Sequence, residues 1–424
     1  MTMSSFVLLL SGLLCAANAE ALYPETVLRP PSLLHDFQKN NISTSWAPGH
    51  PKEWSDKEAL RYEFSDGGPY RYTSGAIFAT ALSSDEKFLV TVNTSNHVSV
   101  VDFATGTQVF DCTLSSTYQA EYRAVRILTG SSGYDVLVSM NYQEVQKLHL
   151  SPQGGYLGNV TVYPGGLLYE KGSPSISHNE RLFITAVPTA GQYNIYNLDD
   201  PSVHLTLNNQ PDDMYDASIT PNDAYVVTRS YSYSGMPGST KMWSATTGAL
   251  LRDFNNTNSE TLAISPDGTL LVTSLSREAV QLWSLTNATA PPTTLPFPEQ
   301  TNGVQRLAWS PDGTYLAVGT YKNLLVWKLS PAPTLIQWYQ IEANGHDVSG
   351  LLWLEDSKRL AYRVFGGLEI YDFESNLKYR WGSSPNSHWV DGAYMVENTI
   401  LAKGKGWIGG LDGDAKVRFW EVPA

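Results

Sequence analysis

The side chains that could do chemistry are scattered, and their spacing excludes most familiar mechanisms. The eight histidines (35, 50, 97, 149, 178, 204, 346 and 388) never fall at intervals that put two ligands on one face of a helix. That leaves convergence across distant segments as the only route to a metal. No His-Glu-x-x-His or Gly-x-Ser-x-Gly occurs, and the glycines of 404–410 lack the spacing of a phosphate loop. Asp412-Gly413-Asp414 reads as a tight turn more readily than as a calcium loop. Cys112 lies in an apolar alternation, Val109 to Leu114, and reads as a small core residue rather than a nucleophile. What remains is a set of donors and aromatics without a motif. Arg306, His346, Asp391 and Tyr233 are the candidate catalytic residues; Tyr215, Tyr231, Tyr233, Arg306 and Trp389 are the candidate ligand-binding ones. Such groups can hold an apolar molecule and polarise a carbonyl by hydrogen bonds, which is catalysis by orientation and charge complementarity. Their plainer reading is a solvated rim that caps loops. No metal and no cofactor are expected.

A repeat has to bring these residues together. The stretch 261–285 reads as three short strands, with the turn Ser265-Pro266-Asp267-Gly268 between the first two and Trp283 in the third. The stretch 304–329 repeats it closely. Looser copies place Val101, Leu148, Tyr196, Trp243, Trp283, Trp327, Tyr371 and Trp420 at equivalent third-strand positions, with spacings of 47, 48, 47, 40, 44, 44 and 49 residues. A period of this size, with four strands per unit, marks an all-β propeller. Eight blades are expected, with seven as the alternative. Trp283 and Trp327 should be buried between blades. Because the last unit ends at Ala424 without a fourth strand, residues 60–65 are expected to supply it and close the ring. The longest interruption, 229–240, falls between the second and third strands of unit four. The fourth-to-first and second-to-third connections share one face of a propeller, and all the candidate site residues fall there.

Composition limits the setting. Residues 1–19 carry a short apolar core and a small-residue cleavage site, as in a secretory signal peptide; residues 20–59, rich in Pro and Trp, form an irregular arm; residues 60–424 form one propeller. Five Asn-x-Ser/Thr sequons, at Asn41, Asn93, Asn159, Asn255 and Asn287, fit glycosylation along a secretory route. With Cys15 in the leader, Cys112 has no partner for an internal disulfide. The net charge of −13 disfavours nucleic acid and anionic membrane as partners. A small apolar molecule is the expected ligand.

The residues of 258–329 resemble the WD40/YVTN repeats, and the rest of the chain does so loosely. Thr105-Gly106 and Thr247-Gly248 are also similar to turns of eight-bladed quinoprotein dehydrogenases, but no adjacent-cysteine pair is present. The plan of leader, sequons, a single propeller and an aromatic rim resembles the secreted fungal hetero-Diels–Alderases of tropolone sesquiterpenoid pathways. That resemblance implies a ligand of polyketide or terpene type and a cofactor-free cycloaddition, with Arg, Tyr or His donors on a quinone-methide oxygen and Trp and Tyr around the terpene. The alternative is a propeller that binds protein or glycan without catalysis.

Overall fold

A computed structural model describes residues 60–67, 75–114, 124–140, 144–158, 160–167, 176–186, 192–208, 214–230, 238–254, 259–275, 277–301, 303–321, 323–340, 348, 350–364, 367–373, 377–382, 400–411 and 415–422. These form eight antiparallel sheets of four strands. Seven are continuous in the chain, spanning 77–113, 125–164, 166–207, 214–253, 262–296, 304–340 and 350–382, here blades 1 to 7. Blade 8 has three strands within 400–421 and takes Leu60–Ser65 as its fourth, paired with Lys416–Glu421. The eight-blade count and the closure expected from the repeat are both present.

Each sheet is apolar on both faces, so each blade needs two neighbours. Eight clusters of buried side chains meet that need, one for each pair of adjacent blades. The cluster that joins the two ends of the chain packs Ile77, Leu89 and Phe103 of blade 1 against Ala402, Leu411 and Phe419 of blade 8. Tyr62 of the closing strand sits over it, with its ring 4.8 Å from Phe103 and 6.0 Å from Phe419. At the polar edge, Glu63 accepts from Lys416 Nζ at 2.8 Å and Arg418 Nε at 2.7 Å, and Arg61 pairs with Glu421. Burial works against the charge on Glu63, but these two cations hold its pKa below the ordinary glutamate value.

One turn recurs just ahead of the second strands. In five blades the hydroxyl of Ser83, Ser177, Thr220, Ser265 or Ser310 donates to the side-chain oxygen two residues on, and the same hydroxyl accepts a backbone N–H five residues on. The fourth position of the turn is left-handed, with φ from 56° to 72° at Glu86, Glu180, Asp223, Gly268 and Gly313. Only the two best-preserved repeats place glycine there. Where a longer residue occupies it, that side chain reaches the preceding blade of the ring: Glu86 accepts from Gly404 N, Glu180 from Thr129 N, and Asp223 from the backbone of His178 and Asn179. The left-handed strain of a non-glycine residue is thus offset by hydrogen bonds between blades.

The third-strand aromatics repeat a second pattern. The Trp243 and Trp283 indoles donate to Thr228 and Thr273, at 2.8 and 3.0 Å. Trp327 is buried as expected, but Trp283 is only half-buried: it packs edge-on to Phe254 at the blade margin, beside the Arg252 guanidinium. By register, Val318 stands in blade 6 where Thr273 stands in blade 5, and the Trp327 indole N–H finds no acceptor.

Two outcomes follow from these contacts. Val318→Thr gives the Trp327 N–H an acceptor and is expected to stabilise the fold by about 0.5–1.5 kcal/mol, read as a raised melting temperature; an unchanged or lower one contradicts the assignment. The second concerns His97. Its ring nitrogens lie 3.2 Å from Asp66, just past the closing strand, and 3.0 Å from Asp111 on the outer strand of blade 1. Burial opposes the imidazolium, but hydrogen bonds to Asp111 and Asp66 and the charges of both outweigh it, so the His97 pKa is raised. A raised folded-state pKa stabilises fully below the unfolded value of about 6.5, and that stabilisation is lost as pH rises through the folded value. The melting-temperature difference between wild type and His97→Gln should therefore be largest near about pH 5 and shrink by about pH 8; a difference independent of pH counts against it.

Candidate functional site

First strands of neighbouring blades adjoin one another between blades 1 and 2, 4 and 5, 5 and 6, and 6 and 7, which puts them innermost in the ring. Chain direction then fixes the two faces. The recurrent serine turns lie on one, and the second-to-third and fourth-to-first connections on the other, here called the entry face. On three first strands the ladder slips one residue at the entry-face end: between Ile77 and Ala79, Met214 and Asp216, and Val304 and Arg306. The extra residues are Phe78, Tyr215 and Gln305. A bulge of this kind kinks the strand and re-aims the side chains that follow it. Here those are Ala79, Asp216 and Arg306.

Blade 4 concentrates buried charge at this end. Arg229 is 1% exposed and donates from Nη1 to the carbonyl of Ser259, in the segment entering blade 5, at 2.6 Å. Asp216 stands opposite it in register and is also buried. The Tyr193 hydroxyl of blade 3 caps the carbonyls of both, at 2.5 Å for Arg229 and 3.1 Å for Asp216. Lys241, on the next strand, is buried 3.9 Å from Asp253. Buried charge is costly unless its surroundings compensate it, so three such side chains in one blade single out this end of the ring.

Blade 6 supplies the other fixed cation. Arg306 is 7% exposed and donates from Nη1 to the Gln305 carbonyl at 2.9 Å. Its bulge is set from blade 5, where Glu260 accepts the Val304 N–H at 2.6 Å. Gly303, with φ +123°, lies directly beneath that carboxylate: a Cβ there would fall 2.3 Å from Glu260 Oε2. The carboxylate and the missing side chain together fix how the chain enters the bulge.

The structure treats the sequence candidates unequally. Arg306 is placed at the entry-face end of an innermost strand, and Tyr215 occupies the bulge position of blade 4. Tyr231, Tyr233, His346, Trp389 and Asp391 lie outside the described residues, as do Asn41, Asn159 and Asn255. Of the remaining sequons, Asn93 is buried and donates its amide to Asp66 at 2.8 Å. Asn287 is exposed, and its side-chain oxygen accepts from the backbone and hydroxyl of Thr289. Arg229 and Ser230, read from sequence as part of the long insertion, belong to the second strand of blade 4, and Thr240 to the third. That reading missed Arg229 and Lys241 as site candidates. The signal lay in the alternation through Val227-Thr228-Arg229, which continues the strand past where the serines and tyrosines suggest a loop.

Cys112 is half-buried against the core between blades 1 and 2, and burial together with the charge of Asp111 pushes its thiol up to about 11. It is therefore protonated near neutral pH and a poor nucleophile. Among the described residues no group of three or more His, Cys, Asp or Glu is placed to hold a metal ion, and no helix is long and apolar enough to cross a membrane.

A family model described as WD domain, G-beta repeat, matches residues 291–328. That span covers the outer strand of blade 5 and the first three strands of blade 6, so the match is to one repeat of the eight. No curated protein matches the chain. The resemblance to hetero-Diels–Alderases therefore rests on general plan, without a relative to support it.

The clamp on the bulge of blade 6 has a testable consequence. Gly303→Ala is expected to destabilise by roughly 1–3 kcal/mol, from the forced contact with Glu260 and the left-handed backbone. In a Glu260→Ala background the same substitution should cost less, because the clash is gone. Strictly additive losses in a double-mutant cycle would show that the two positions are independent.

Proposed function

We propose that this propeller binds a small, largely apolar molecule at the entry face and promotes a cofactor-free cyclisation or cycloaddition there, of the hetero-Diels–Alder kind. The observation behind this reading is the pair of buried guanidiniums, Arg229 and Arg306, at the entry-face ends of blades 4 and 6. Each is tied to a backbone carbonyl, and Arg306 directly follows a bulge. A cation held in this way is preorganised: it can meet negative charge developing on an oxygen without first being reoriented. In a hetero-Diels–Alder reaction a C–C and a C–O bond form as π bonds shift, and no proton, electron pair or leaving group departs. The protein would then contribute orientation and charge complementarity, which fits the lack of any nucleophile or metal-ligand motif in the sequence. Secretion and glycosylation belong to the same proposal and rest on the leader and the sequons.

A second reading is a non-catalytic scaffold that binds protein or glycan. The WD-repeat match leaves it equally open, since that match speaks to architecture and not to chemistry.

The two readings separate in one experiment. Purified glycosylated protein is offered a tropolone quinone-methide precursor together with a sesquiterpene alkene. The cyclase reading expects a stereoselective adduct, with a rate that falls by about 10²-fold in Arg306→Ala, assayed at a temperature where that variant is still folded. A racemic product at the background rate would leave the scaffold as the account of this protein.

A further inference from the structure

The large apolar side chains that stand exposed among the described residues all fall between Val109 and Leu251, on blades 1 to 4. Their densest group spans blades 1 and 2. Val109 is 39% exposed, Leu157 56%, Val160 40% and Val162 48%. Contacts join the two blades here: Phe110 stacks on Tyr156 with ring centroids 5.4 Å apart, and Gly154 lies close against both Phe88 and Val109. Contiguous exposed apolar area beside outermost strands invites association unless something covers it.

We infer that residues 20–59 of the same chain pack over these side chains, beginning on blades 1 and 2. The argument rests on where that segment ends. It enters the fold at Leu60, which pairs with Trp420, and two residues later Tyr62 packs against Phe103 of blade 1 and lies 3.9 Å from a Cβ position at Gly106. Gly106 leads directly into the outer strand Thr107–Thr113, which carries Val109 and Phe110. From the contact at Gly106 to the start of the apolar surface is therefore three residues of strand, roughly 10 Å. Forty residues can reach roughly 130 Å when extended, enough to continue beyond blade 2.

The chemistry of the segment fits as well. It supplies Leu28, Leu33, Leu34, Phe37, Trp46 and Trp54 to meet an apolar surface. Its prolines, at 24, 30, 31, 48 and 51, lack the N–H needed to add a long regular strand to the blade edge. The association therefore runs through side chains. The closing strand shows why the apolar group starts at blade 1: its own outward residues are Arg61, Glu63 and Ser65, which need no cover. This inference is independent of the entry-face proposal, since it concerns the outer strands of the blades.

The test uses the full secreted chain with a benzophenone side chain in place of Leu157, and a control with the same group at the exposed Thr293 of blade 5. Irradiation and peptide mapping should link position 157 to peptides of residues 20–59 in the same molecule, and position 293 should not link there. Links from 157 to a second copy, or none above the control, overturn the inference. As a second measurement, Val109→Asp with Leu157→Asp should speed trypsin cleavage after Lys39 and Lys52 at least roughly tenfold at an unchanged melting temperature. Equal cleavage rates would also overturn it.

Discussion

A sheet with two apolar faces cannot end, and this constraint organises the whole molecule. Each blade buries one face against the blade before it and the other against the blade after, so a row of blades is stable only when its ends meet. The chain meets the constraint with one short strand. Leu60–Ser65 completes blade 8, lays Tyr62 across the cluster of Phe103 and Phe419, and places Glu63 between Lys416 and Arg418. His97 then binds the residue that follows this strand to blade 1 through Asp66 and Asp111. Packing, ion pairs and strand pairing thus converge on the one place where the ring would otherwise open.

Closure divides the labour between the two faces. On the turn face, short turns repeat in which a Ser or Thr hydroxyl donates to an Asp or Asn side-chain oxygen. Their aspartates, including Asp85, Asp267 and Asp312, are buried enough to disfavour charge, yet their hydrogen bonds hold them below the ordinary carboxylate range. Such groups stabilise above their unfolded pKa, and the contribution is lost as pH falls through the folded value. The entry face adds features of its own: three bulged inner strands, two deeply buried arginines, a buried lysine, and a glycine whose missing side chain makes room for Glu260. Regular turns repeat on one face, and the proposed ligand site uses the irregularities of the other.

Most of the architecture was legible in the sequence because its signals are local. Ser-Pro-Asp-Gly in two repeats, together with eight third-strand positions at a near-constant spacing, was enough to place the blades, and the missing fourth strand of the last unit pointed to residues 60–65. The site was less legible because its decisive features are not local. Arg229 looks like the start of a loop until the ladder with Met214–Ile219 and Thr240–Ser244 places it in a strand. Gly303 is one glycine among 33 until Glu260, 43 positions earlier, is seen above it. Trp283 and Trp327 share a repeat position, yet one is half-buried and the other enclosed, because neighbouring side chains differ and the repeat does not record them.

Ligand binding is proposed at the entry face, at the ends of the first two strands of blade 4 and the first strand of blade 6. Hydrogen–deuterium exchange of the glycosylated protein, with and without the quinone-methide precursor, tests it most directly. The account expects added protection in the peptides covering 214–230 and 304–309, and none at the turns 83–86, 265–268 and 310–313. Protection confined to those turns or to the outer strands would contradict it and place recognition elsewhere on the ring.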